Sequence, residues 1–298
     1  MYSHDEVYFE LVSDVVNRGF VTENRTGINT LSIFGTQSRY GGVGDFFPLL
    51  TTKKMNWRSI VSELFWFLEG STDERRLAEL NYGKERSELR DKRTIWTDNA
   101  HQQGQEMYGH LNHEDFQYLG PIYGKQWRTW DHQTPVDQIK NVIHEIKTNP
   151  TSRRLIVSAW NAPKIGIMAL PPCHVMFQFR VQDELLHMQM YQRSADIGLG
   201  VPYNIASYAL LLKMIAKECG YEAGDFIHTI GDAHIYENHS KALLEQYTRT
   251  RLRSPYVHID DEFDLLDRLE NGFSHDDISM IILEDYEHHP SIKMDMAV

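Results

Sequence analysis

The sequence predicts an α+β fold, and three observations carry the prediction. Strand-like stretches come in runs, as in "HVMFQFRVQDELLHMQMYQRS", without the regular helix–strand alternation of a doubly wound fold. Large apolar stretches without breakers, such as "NIASYALLLKMIAKECG", lie between those runs and read as helices. No internal repeat or low-complexity tract points to a solenoid or a linker.

Each element follows in chain order. Residues 4–19, "HDEVYFELVSDVVNRG", carry apolar side chains at helical spacing and stop at a glycine. "NRTGINTLSIFGTQSRY" opens as a turn and continues as an alternating strand. "RSIVSELFWFLEG", residues 58–70, is apolar and unbroken until Gly70, the pattern of a buried helix. Residues 71–118 are the least patterned and are rich in charge, Gln, His and Asn; they read as a surface excursion. "PVDQIKNVIHEIKTNP" is an amphipathic helix bounded by prolines. "RRLIVSAW" and the run after Cys173 read as strands, the second a hairpin turning at Gln182–Glu184. The stretch from Asn204 to Gly220 is a long apolar helix, central to the core. "FIHTIGDAHIYENHSKALLEQYTRT" reads strand, turn, helix, and "DDISMIILEDYEHHP" begins a strand that leads into an extended tail.

Composition narrows the function. A chain of 298 residues can bury a substantial core, as one large domain or two ordinary ones. A formal charge of −12 repels polyphosphate, so no nucleic-acid polymer is expected as a partner. A small anionic ligand would need a local group of arginines. No apolar run is long enough to span a bilayer, and no membrane partner is expected. The first residues carry acids where a signal peptide carries bases, so the expected location is cytoplasmic. Two cysteines do not make a disulfide framework; both are expected as reduced thiols, with Cys219 a small residue near a helix end.

Cys173 follows Pro171 and Pro172, which keep this backbone out of regular ladder pairing. His174 is adjacent, but neighbours on a strand point to opposite faces. From this alone, Cys173 suits either a buried structural thiol or a nucleophile. Arginines bear on that choice. Arg153 and Arg154 stand directly before a strand, Arg193 and Ser194 at the end of another, and Arg25 in a turn. They suit a phosphate cradle, whose field would also favour a thiolate, or else ordinary surface ion pairs. Glu63 lies in an apolar helix, so it faces the wet side, is paired, or works. Asn204 suits a helix N-cap or the recognition of a base edge. Asp232, His234 and Tyr236 share one strand face and suit a sugar hydroxyl or a polar-tipped core.

Taken together, the motifs resemble the thymidylate synthase family over nearly the whole chain. They run from "NRTGINTLSIFGTQSRY" through "FPLLTTKK", "SELFWFLEGST", "LGPIYGKQWRTW", "SRRLIVSAWN", "MALPPCHVMFQF", "YQRSADIGLGVPYNIASYALLLKMIA" and "GDAHIYENH" to "MDMAV". The resemblance implies a large mixed β-sheet with packed helices. It implies one catalytic domain over 1–298 with a variable surface excursion at about 71–118, and a homodimer through the sheet. It implies reductive methylation of dUMP to dTMP, with 5,10-methylenetetrahydrofolate as one-carbon and hydride donor and no metal.

By the same resemblance, Cys173 is the nucleophile that adds to C6 of the pyrimidine. The catalytic set is Cys173, Glu63, Tyr123, Asn204, Asp196 and Arg193. Glu63 organises waters that move protons at O4, and Tyr123 helps the water that removes the C5 proton. Arg25, Arg193 and Ser194 bind the phosphate, with Arg153 and Arg154 reaching in from the neighbouring subunit. Gln192 and Ala195 line the nucleotide, Asn204 pairs with the uracil edge, and His234 and Tyr236 bind the 3′-hydroxyl. Asp196 bonds the pterin. Trp96 lies along the folate with Ile95, Leu170, Leu199, Gly200 and Tyr203. Lys53 and Asn56 face the glutamate tail, and Ala297 and Val298 close over the complex.

Four positions depart from the usual pattern of the family: Tyr203 for Phe, Gly166 and Thr97 for acids, and His288 for Pro. A hydroxyl at Tyr203 or Thr97 could hold a water where the methylating enzymes exclude one. The alternative is therefore a dUMP hydroxymethylase that yields 5-hydroxymethyl-dUMP and tetrahydrofolate. Asn204 favours a uracil edge over cytosine, because an amide complements the first.

Overall fold

Local stop signals set the helix ends. Helix α1 (Asp5–Arg18) ends at Gly19, whose N–H bonds the Val15 carbonyl. Helix α2 (Trp57–Glu69) ends at Gly70, at φ 72°. Helix α3 (Glu74–Tyr82) is capped by Asp73, whose side chain accepts from the Arg75 N–H. Two short helical turns, α4 (Thr97–Asn99) and α5 (Gln105–Tyr108), flank a π-helical stretch at Ala100–Gly104. Helix α6 (Tyr123–Arg128) precedes α7 (Gln138–Thr148), which Asp137 caps. Helix α8 (Gly200–Cys219) closes at Gly220, whose N–H reaches two carbonyls of the last turn. Helices α9 (Ser240–Thr248) and α10 (Leu265–Asn271) follow.

This computed structural model describes residues 3–24, 26–130 and 134–295. The chain divides into two units. The first is Met1–Trp57, Phe179–His258 and Leu283–Val298; the second is Arg58–Gln178 and Ile259–Ile282.

In the first unit β1 (Phe20–Thr22) pairs antiparallel with β2 (Thr30–Tyr40), and β2 pairs antiparallel with β6 (Glu222–Tyr236). Strand β5 (Leu185–Asp196) lies parallel to β6, so the sheet is mixed. Helix α8 packs on β5 and β6, and α1 packs on β2. The core is the apolar body of α8, including Ile205, Leu210, Leu211, Leu212 and Ile215, none of which is exposed. Each such side chain contributes about 1.5–3 kcal/mol by burial. The β5–β6 register sets Ser194 beside Asp232 and Asp196 beside His234. Both strands therefore deliver their polar ends to the same edge, as parallel strands must.

In the second unit β3 (Ile156–Ser158) pairs antiparallel with the start of β4 (His174–Gln182). Helices α6 and α7 pack on β3 and on each other. The core here is aromatic: Phe65 stacks on Phe273 at 4.4 Å, and Trp127 meets Phe177 edge-on at 5.2 Å. Arg128 ties α6 to Asp137 at 2.8 Å and to the Leu269 carbonyl at 2.7 Å. The stretch expected as a surface excursion, 71–118, buries Glu74, Arg75, Leu77, Leu80, Leu89 and Trp96.

Strand β4 carries the chain from the second unit into the first and turns into β5 at Asp183 and Glu184. Both turn residues have positive φ, 52° and 62°, as a two-residue hairpin with right-handed twist requires. Two further strands, β7 (Tyr256–Ile259) and β8 (Ile281–Glu284), complete the set. The α+β expectation is borne out. One reading of Asn204 is not. Helix α8 starts at Gly200, so Asn204 lies inside the helix and cannot be its N-cap. Pro202, near the start of the helix, needs no intrahelical N–H there, so the helix begins before it and not after it.

Candidate active site

In the second unit the sequence places a thiol, a phenol and a carboxyl on three different elements. Cys173 stands directly before β4 and is half-buried. Its backbone N–H donates to the Tyr123 hydroxyl at 2.8 Å. Tyr123 opens α6 and is buried; its ring stacks on Phe67 at 4.9 Å. The His174 ring lies edge-on to Tyr123 at 5.4 Å, and the Trp96 ring at 5.6 Å. Trp96 donates its indole N–H to the Glu63 carboxylate at 2.7 Å. Burial pushes that carboxyl up to about 7, and the Trp96 bond works in the opposite direction. Glu63 is half-buried, and among the described residues it has no cation partner. A carboxyl poised near neutrality can both take and give a proton.

In the first unit the end of β5 alternates between core and surface. Gln192 and Ala195 are buried, while Arg193, Ser194 and Asp196 are half-buried. Gln192 donates to the Asn204 side-chain oxygen at 3.1 Å and to the Ser194 carbonyl at 3.0 Å. The Gln192 oxygen in turn meets His228 Nε2 at 2.9 Å, which fixes Nε2 as the protonated nitrogen. With its oxygen held this way, the Asn204 amide has a set orientation. His234 contacts Asp232 at 3.0 Å, and its ring lies edge-on to Tyr236 at 5.2 Å.

Asp196 accepts from the Gly198 and Leu199 N–H groups at 2.9 and 3.3 Å, which aims its carboxylate. His239 Nδ1 is 3.4 Å from that carboxylate, and His239 Nε2 meets the Asp295 carbonyl at 2.8 Å. Burial lowers the proton affinity of His239, but these two partners outweigh it and the net shift is upward. Lys53 is buried and donates to the Gly198 carbonyl at 2.7 Å. Burial pushes its ammonium down to about 8, with Asp196 opposing.

The thymidylate synthase family model matches residues 6–298. The chain belongs to the thymidylate synthase family. A thymidylate synthase of Herpesvirus ateles is 45% identical over 301 aligned residues, which cover 98% of this chain and 97% of that relative. The resemblance read from the motifs is borne out, and with it the reading as an enzyme.

The residues expected from membership of the thymidylate synthase family form one cluster in each unit. Glu63, Trp96, Tyr123 and Cys173 meet in the second, and Gln192, Ser194 and Asn204 in the first, with Asp196 near Lys53. Arg153 and Arg154 are exposed, and their guanidinium groups make no ion pair or hydrogen bond among the described residues. Asn56 and Ile95 are exposed, whereas Leu170, Leu199, Gly200 and Tyr203 are half-buried. Arg25, Ala297 and Val298 lie outside the described residues. Among the described residues, no helix is long and apolar enough to cross a membrane. No group of three metal-ligating side chains is placed to hold an ion among them either.

Sequence reasoning missed His228 and His239. Both are buried histidines in or beside a strand, and that pattern was the available signal.

Proposed function

We propose that the chain methylates dUMP to dTMP, using 5,10-methylenetetrahydrofolate. The observation that carries this reading is the second-unit cluster: a half-buried cysteine whose backbone N–H bonds a phenol, with a carboxyl tuned to about 7 beside the same aromatic group. In this reading the Cys173 sulfur bonds to C6, and the C5=C6 electron pair moves toward C5 and O4. Glu63 moves protons at O4, and the Tyr123 hydroxyl positions the water that takes the C5 proton. The Asn204 amide pairs with the base edge, while His234 and Tyr236 hold the 3′-hydroxyl. Arg25, Arg193 and Ser194 hold the phosphate.

Arg153 and Arg154, exposed and without an ion pair among the described residues, support a homodimer in which they reach a second copy's phosphate site. The expected sheet-mediated dimer and the single catalytic domain belong to the same proposal. Asp196 fits a pterin: two backbone N–H groups hold one of its oxygens, so the carboxylate can accept from a ring N–H. Lys53 and Asn56 would face the glutamate tail. The folate supplies the one-carbon unit and the hydride when bound.

The test is the product formed from dUMP and methylenetetrahydrofolate. Methylation gives dTMP and a rise in dihydrofolate absorbance. A nucleotide heavier by one CH2O unit, with that absorbance flat, identifies a hydroxymethylase and overturns the methylation step alone. No product, together with no adduct of 5-fluoro-dUMP on Cys173, overturns the whole reading. Cys173→Ser should still bind dUMP but lose most turnover, because a hydroxyl is a far weaker nucleophile at neutral pH.

A further inference from the structure

Trp96 touches the proton-moving carboxyl, yet it sits in a stretch that the sequence reads as a surface excursion. What holds it there is a buried ion pair at the start of α3. Glu74 is 0% exposed and Arg75 4%. Arg75 Nε and Nη2 donate to the two Glu74 oxygens at 2.6 and 2.7 Å, a two-pronged bond. The remaining Arg75 donors reach the Leu89 carbonyl at 2.8 Å and the Lys92 carbonyl at 3.2 Å, anchoring the incoming loop.

One of the two Glu74 oxygens also takes two hydroxyls. Thr94 and Thr97 both donate to Glu74 Oε1, at 2.6 and 2.7 Å. Each hydroxyl also accepts: Thr94 from the Trp96 backbone N–H at 3.1 Å, and Thr97 from the Thr94 N–H at 2.8 Å. The residues on both sides of Trp96 and its own backbone are thus tied to one carboxylate. An acid at position 97 would set a second negative charge against Glu74; a hydroxyl donates to it.

We propose that Glu74, acting through Thr94 and Thr97, is a positioning residue that holds the Trp96 indole N–H on Glu63. The proposal deepens the reading above and rests on it for the catalytic meaning of Glu63. The other titratable groups around this cluster are the Tyr123 phenol from α6, the Cys173 thiol and His174 at the start of β4, and the Glu74–Arg75 pair of α3. The Arg75 charge is taken up by Glu74, so the N–H of Trp96 is the group that lowers the proton affinity of Glu63 against burial.

Glu74 itself is a poor probe, because its loss strands the Arg75 charge in the core. Thr97→Val keeps the shape and removes the hydroxyl, and Thr97→Ser keeps the hydroxyl. The readout is the titration of the Glu63 carboxyl by 13C NMR in protein labelled at glutamate, with Glu63→Gln to assign the signal. Thr97→Val should move the midpoint upward by about half a pH unit or more, and Thr97→Ser should leave it in place. Trp96→Phe should move it at least as far, and Thr97→Val added to Trp96→Phe should move it no further. In the active enzyme, the limb of kcat near neutrality should shift with the midpoint. An unmoved midpoint in a folded Thr97→Val protein, or an equal further shift on top of Trp96→Phe, overturns the proposal. The titration needs no turnover. A moved midpoint with no product from dUMP supports the positioning and sinks only the proposed function.

Discussion

Glu63 and Glu74 lie on successive helices of the same unit, and they are kept in opposite ways. Glu74 is buried under a two-pronged arginine and two hydroxyl donors. Asp5 in the first unit follows the same plan, taking the N–H and hydroxyl groups of Thr51 and Thr52. Glu63 has a single hydrogen-bond donor among the described residues, the Trp96 indole. A carboxylate surrounded by donors has its lone pairs met by them and serves the fold. One left short of donors in an apolar setting holds its proton more tightly and can exchange it. The difference separates a fully bonded acid from one able to exchange its proton, without reference to its position in the chain.

The largest effect expected from this contrast is on rate. Glu63→Gln should lower kcat by about 10²–10⁴-fold. It should leave unfolding free energy at pH 8 unchanged or raised, because an under-bonded charge is removed. Near-normal turnover in steady-state assays would break the contrast. Glu74→Gln should do the reverse. It leaves the Arg75 charge buried without a counter-ion and should cost about 3–5 kcal/mol in urea unfolding. If the two substitutions destabilise equally, the distinction between the two acids fails.

A pH series sharpens the same point. The Glu63 carboxyl is raised from 4.5 to about 7 in the folded chain. Below 4.5 both states carry the proton and nothing is lost. Between 4.5 and 7 the unfolded chain releases it first, so stability falls as pH rises. Above about 7 the loss is complete, at up to roughly 3 kcal/mol. Denaturant midpoints across that range should show the decline in the parent and a shallower one in Glu63→Gln. Identical slopes would remove the argument from burial. The smallest effect lies far from both acids: Glu184→Gly should stabilise the β4–β5 hairpin by about 0.5 kcal/mol, since Glu184 holds φ 62°. A lower thermal midpoint would show that its side chain matters more than its backbone.

Much of this architecture was legible in the residues. The apolar spacing of α1, the stops at Gly70 and Gly220, and the turn before Leu185 all act within a few positions of themselves. Asn204 was partly misread because the proline-bearing start of α8 allows the helix to begin earlier than the polar residue. Residues 71–118 hold a buried pair that the sequence did not reveal. Their charges look like solvated surface in one dimension, but Glu74 and Arg75 satisfy each other in the core.

The sequence by itself determined the periodic elements, their ends and the family, since periodicity, breakers and ordered motifs are properties of neighbours in the chain. Only the tertiary structure decided which acid is left short of donors and which is fully bonded. That depends on donors brought within about 3 Å from elsewhere in the chain, and a carboxyl's proton affinity follows from those donors and from lost water.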